Sequence, residues 1–176
     1  NIRTILLGLL FLTLTQSLQA DTESWTDPAM PVKDGLILWI DSGKQSEARS
    51  HAKRQALAAN SPVEMIFDGS GARRNLHQRS RDSQPRLLTK SGRSVLRFDG
   101  KDDYLERTDL DLKLDQATVF IVASPSSNLG GFRGLVSMNQ LGVNDYVSGF
   151  TIDLGPSATT RFETLNVEGK GIPGID

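Results

Sequence analysis

Asp99, Asp102 and Asp103 place three carboxylates within five residues. Calcium prefers such oxygen ligands, so this is the first candidate metal site. The spacing is not that of an EF-hand loop. The same residues also make a turn. Gly100 accepts positive φ at little steric cost, and an aspartate can hold neighbouring backbone amides. Both readings stand at this stage, the turn and the calcium. A second candidate is Asn144, Asp145 and Tyr146, on a predicted loop. A tyrosine ring stacks on a sugar face, and the amide and carboxylate beside it can bond sugar hydroxyls. The cluster Arg49, His51, Lys53 and Arg54 is a candidate anion site or simply a solvated helix face.

No catalytic set emerges from the remaining residues. Retaining glycosidases need two carboxyl groups about 5–5.5 Å apart. On a strand that requires an even spacing, so that both side chains share a face. The glutamates are Glu23, Glu47, Glu64, Glu106, Glu163 and Glu168. The closest pair, Glu163 and Glu168, has odd spacing. His51 and His77 are far apart and lack metal-ligand partners. Ser70 is not in a G-x-S-x-G elbow. The glycine pairs Gly130-Gly131 and Gly169-x-Gly171 lack the strand-to-helix context of a phosphate loop. With no cysteine, the chain has neither disulfides nor thiolate chemistry.

The elements that must position these residues read as β-structure. Candidate strands cover 36–40, 63–67, 95–98, 104–107, 117–124, 134–138, 149–154 and 161–167. Gly, Asp, Asn, Ser and Pro punctuate the gaps, as in a sandwich of short strands. The most apolar stretch, Thr118-Val119-Phe120-Ile121-Val122-Ala123, is expected to be a central strand. Trp39 is expected in the core. One surface helix is predicted over 45–59, where alanines recur at near-helical spacing; Ser46 would cap it and Asn60-Ser61-Pro62 would end it.

Residues 1–20 read as a secretory leader, with Arg3, the apolar run from Ile5 to Leu14, and Ala20 at the cut. That run is well short of the ~20 residues of a membrane span. The protein is therefore expected outside the cytoplasm, periplasmic or extracellular, with no stable membrane span after the leader is cleaved. Residues 21–33, with Pro28 and Pro31, read as a linker, and 34–176 as one domain. A formal net charge of −1 gives no global attraction to nucleic acid.

The order of motifs resembles the concanavalin A-like lectin/glucanase (laminin G-like) family. Gly35-Leu36-Ile37-Leu38-Trp39-Ile40-Asp41 resembles the opening strand. Phe67-Asp68-Gly69-Ser70-Gly71, followed by Arg73-Arg74-Asn75-Leu76, resembles the W-x-D-x-S-G-x-x-x-N turn, with Phe67 in the place of Trp. Val95-Leu96-Arg97-Phe98-Asp99-Gly100-Lys101-Asp102-Asp103-Tyr104-Leu105 is the most specific match. The pattern around Asp27 to Gly35 is similar to the N-terminal region of large exported planctomycete-type bacterial proteins.

The resemblance implies an all-β fold: an antiparallel β-sandwich of jelly-roll type with one short surface helix, incomplete at its C-terminus if the chain continues beyond Asp176. It implies a non-catalytic binding module for carbohydrate or glycoprotein. The alternative is a structural or interaction domain of a larger exported enzyme, with haem-binding or other catalytic domains downstream. The glucanase pattern Glu-x-Asp-x-x-Glu is absent from the sequence, so a degenerate glucanase is the third and weakest reading.

Overall fold

A computed structural model describes residues 21–110, 112–144 and 147–171, with Lys90 described for its backbone alone. The leader expected over 1–20 lies outside the described residues. The chain divides into two compact units, Asn1–Arg97 and Phe98–Asp176. All the strand pairs in both are antiparallel. The β-rich, antiparallel character expected from the sequence is thus observed, with one short α-helix among the described residues.

In the first unit a 3₁₀ turn, Ser42–Lys44, leads into α1, Gln45–His51. Asp41 caps the turn by accepting from the Gly43 amide at 2.7 Å. The strands are β1 (Ser61–Pro62), β2 (Met65–Ile66), β3 (Leu76–His77), β4 (Arg86–Lys90) and β5 (Arg93–Arg97). They form a three-stranded sheet, β1-β4-β5, and a separate β2-β3 pair. Ser91 and Gly92 join β4 to β5, both with positive φ, which is the two-residue turn that matches strand twist. Val63, Met65, Ile66, Leu87, Ala48 and Trp25 are buried. Trp25 comes from the stretch expected as a linker and stacks on Trp39, centroids 6.4 Å apart.

The second unit holds β6 (Asn128–Leu129), β7 (Gly134–Met138), β8 (Phe150–Asp153), β9 (Ala158–Thr159) and β10 (Asn166–Gly169). Their sheets are β10-β8-β7 and β6-β9. Ile152 and Leu154 are buried, together with the polar Asn128, Asp153 and Asn166.

Four expectations change. Residues 36–40 are half-buried and form no strand. Their backbone groups are taken by another segment: Trp39 N donates to Asp68, Trp39 O accepts from Gly69 N, and Ile37 O accepts from Arg74 Nη1. A side-chain clamp replaces the ladder. The helix ends at His51 rather than continuing to residue 59, and no side chain caps its N-terminus. Lys53 turns left-handed, and the amides of Lys53 and Arg54 bond back to Ser50 O and Arg49 O. These are the two bonds of a Schellman motif, which satisfies the last carbonyls and stops the helix. Residues 104–107 contain one bridge position, Glu106, and no strand.

The largest departure is 118–123. These residues are unassigned, with Phe120 at 92% exposure and Val122 at 104%. Apolar composition fits a segment for burial, but burial needs a second layer; among the described residues none covers the face of Phe120 and Val122, while Val119 (39%) and Ile121 (37%) are partly covered. By contrast, 134–138 is observed as expected, and 149–154 and 95–98 overlap β8 and β5; of 63–67 only Met65–Ile66 is strand, and of 161–167 only 166 and 167, the start of β10 (Asn166–Gly169). Among the described residues no helix is long and apolar enough to cross a membrane.

Candidate functional site

The carboxylate cluster at Asp99 is a turn built by its own side chains. Asp99 Oδ1 accepts from the amides of Lys101 (2.8 Å), Asp102 (3.3 Å) and Asp103 (3.4 Å). Asp103 Oδ2 accepts from the Asp99 amide at 2.8 Å, and Gly100 has φ 75°. The Lys101 amide is the chief cause of a lowered Asp99 pKa; desolvation opposes it, while the Asp102 and Asp103 amides and the Lys101 charge add to it. Amide donors thus do here what a cation would do. Among the described residues no group of three or more His, Cys, Asp or Glu is arranged to hold a metal ion.

Asp145 and Tyr146 lie outside the described residues. Asn144 is described, and its carbonyl accepts from the amides of Val147 (3.0 Å) and Ser148 (3.1 Å). This is a tight turn, the loop setting expected for Asn144. The basic cluster near α1 is dispersed into local contacts. Arg49 Nε donates to Gln55 O at 2.7 Å, and Arg54 pairs with Glu64 at 3.4 Å. Desolvation, and then the Arg54 charge, lower the Arg49 pKa.

Two buried aspartates went unnoticed as sites, and both hold backbone. In the first unit Asp68, 2% exposed, accepts four hydrogen bonds. Oδ1 takes the amides of Trp39 (3.0 Å) and Ser70 (2.9 Å); Oδ2 takes the Ser70 hydroxyl (2.7 Å) and the Arg74 amide (2.9 Å). Asn75 Oδ1 accepts from the Asp68 amide at 2.9 Å. Gln45 fastens α1 to the same strand end through Phe67 N and O. A Cβ on Gly69 would lie 2.5 Å from Thr26 Cγ2 and 2.7 Å from the Trp39 ring; only hydrogen fits. In the second unit Asp153 accepts from the Gly155 amide (2.6 Å) and from Asn166 Nδ2 (3.1 Å). For Asp153 the sequence signal was an Asp two residues before a Gly; Asp68 also stood in the family-like D-x-S-G-x-x-x-N turn, whose Ser70 and Asn75 are among its observed partners.

The second unit also holds an open groove of about 630 Å³ beside the β6-β9 pair. Ser126, Ser127, Thr159, Thr160, Leu129 and Arg161 line it. Asn128 fixes its floor, donating to Leu154 O (2.9 Å) and Ser157 O (3.1 Å) and accepting from Gly130 N (2.9 Å). The Thr159 hydroxyl donates to Arg161 O and accepts from Arg161 N, which fixes the turn that carries Arg161. Arg161 is exposed and stands 4.0 Å from Glu163. Leu129 is 74% exposed. Hydroxyls and a guanidinium therefore surround an aliphatic surface. No residue of this groove was a sequence-based candidate, because serines and threonines in loops read as turn formers.

Comparisons with protein-family models, curated proteins and solved structures found no match to this chain.

Proposed function

We propose that the protein is a non-catalytic binding module for carbohydrate or glycoprotein outside the cytoplasm, built on a concanavalin A-like β-sandwich. The observation that carries this reading is the groove beside β6-β9. Sugars offer hydroxyls on their edges and C–H groups on their faces. The groove offers Ser, Thr and Arg groups for the first and exposed Leu129 for the second. The loop of Asn144, Asp145 and Tyr146 is a second contact region for the same ligand class. The loop of Asp99, Asp102 and Asp103 is read as a turn held by backbone amides; calcium there is the alternative reading, and sugar binding does not need it.

The test is a screen of neutral glycans against the parent protein and two variants, Arg161→Ala with Leu129→Ser, and Tyr146→Ala. Binding lost in the first variant assigns the groove; binding lost in the second assigns the loop. A screen with no bound glycan would sink the carbohydrate reading.

The alternative, an interaction domain of a larger exported enzyme, draws its support from exposed Phe120 and Val122. Contiguous exposed apolar surface commonly marks a contact with another protein surface.

A further inference from the structure

The net charge of −1 conceals a segregation. Between Arg73 and Arg97 there are eight arginines and lysines and one acid, Asp82. The strand register gathers half of these cations on one ribbon. Arg86 lies opposite Arg97, and Lys90 opposite Arg93, with Leu88 opposite Val95 between them. Positions 86, 88 and 90 share one face of β4, and 93, 95 and 97 the matching face of β5. The other face carries buried Leu87. Arg86, Arg93 and Arg97 are exposed. No carboxylate among the described residues forms an ion pair with Arg86 or Arg93.

Like charges directly opposite each other weaken a sheet. Solubility needs polar side chains on this face, not two cation-on-cation pairs. The four positions outline a rectangle of about 13 by 5 Å, from four strand steps and one interstrand spacing. That elongated outline suits a linear polyanion better than a single anion.

We infer that the outer face of the β4–β5 hairpin binds an acidic polysaccharide, sulfated or uronic, through Arg86, Arg93 and Arg97, three of the four cationic positions that the register sets on this face. Guanidinium groups bind sulfate and carboxylate in two-pronged geometry. Arg86 uses Nη1 on Asn60 O at 2.9 Å, which leaves further donors and fixes the group in place. Leu88 and Val95, the latter 42% exposed, give sugar faces an aliphatic strip. No aromatic residue lies at these six positions, so nucleobases would find no stacking platform there. The choice of polysaccharide over nucleic acid rests also on the carbohydrate-binding reading above.

The test compares dextran sulfate, unsulfated dextran of the same length and a duplex DNA, each titrated into the full chain over a salt series around ~0.15 M. The parent is expected to bind dextran sulfate, to weaken as salt rises, and to ignore the unsulfated polymer. Arg86→Ser with Arg93→Ser is expected to bind dextran sulfate at least ~10-fold more weakly. Its Tm should be equal or higher, because cross-strand repulsion is removed. Arg93→Ser alone gives a smaller loss in the same direction and serves if the double variant does not fold. Equal binding by parent and variants would overturn the proposal. So would equal binding of both dextrans, or tighter binding of DNA than of dextran sulfate. The double variant leaves the β6-β9 groove untouched. Neutral-glycan binding that survives while dextran sulfate binding is absent in the parent would refute this inference alone; the reverse would refute the groove.

Discussion

Asp68-Gly69 and Asp99-Gly100 are the same dipeptide with the same local habit. Each aspartate turns back on the amides that follow it, Ser70 and Arg74 in one case, Lys101 to Asp103 in the other. The difference lies in reach and burial. Asp68 also holds Trp39 N, a residue 29 positions away, and is buried. Asp99 holds only its own loop and is exposed. A buried acceptor that fails leaves several donors without water to replace it, whereas an exposed one is replaced by solvent. One motif is therefore a fold-wide clamp and the other a local turn.

The largest expected effect follows from that contrast. Asp68→Ala strands the amides of Trp39, Ser70 and Arg74, while the Ser70 hydroxyl keeps Ile37 O as an acceptor at 3.2 Å. Two or more unsatisfied buried donors should cost about 3–5 kcal/mol, measured by urea unfolding. Asp68→Asn keeps one acceptor oxygen and should lose less. A loss below about 1 kcal/mol for the alanine variant would break the comparison. Next comes Gly69→Ala. The added methyl meets Thr26 and the Trp39 ring, and overpacking of this kind costs about 1–3 kcal/mol. Disruption of the Trp25–Trp39 stack should accompany it, seen as a change in tryptophan fluorescence.

The sequence was informative where signals are local and silent where they depend on distant partners. The turn at Asp99 was legible because its donors lie within four residues. β7 was legible from its composition and flanking glycines. The clamp at Asp68 was not, since nothing in Asp68-Gly69-Ser70 indicates that Trp39 N is the fourth donor. Residues 36–40 and 118–123 look alike as apolar runs. One is gripped by side chains from Asp68 to Arg74, and the other stands exposed. Composition specifies what a segment can bury, not whether another segment arrives to bury it. The helix failed at Lys53 for a related reason: the alanines favoured continuation, but the carbonyls of Arg49 and Ser50 were satisfied by a left-handed stop. The cationic ribbon escaped notice because net charge averages over units of opposite sign.

A smaller effect tests the exposed run itself. Phe120→Ser removes a side chain that is 92% exposed, so unfolding free energy should stay within about ±0.5 kcal/mol. Solubility should rise. A loss of several kcal/mol would mean that Phe120 is buried in solution against some other surface.

The finest test concerns pH at the exposed turn. The Lys101 amide, joined by those of Asp102 and Asp103, lowers the Asp99 pKa below its ordinary 3.8. The folded state therefore holds the proton less tightly than the unfolded state. The contribution of Asp99 is present above the ordinary aspartate value and is lost as pH falls through the lowered folded value. Asp99→Asn should remove that part of the acid slope while changing the Tm at neutral pH less than Asp68→Ala does. Calcium or EDTA should leave the parent Tm unchanged, because amides already occupy Asp99 Oδ1 and Asp103 Oδ2. A calcium-dependent rise in Tm that disappears in Asp99→Asn would recast the loop as a metal site. The two Asp-Gly motifs would then differ in chemistry as well as in burial.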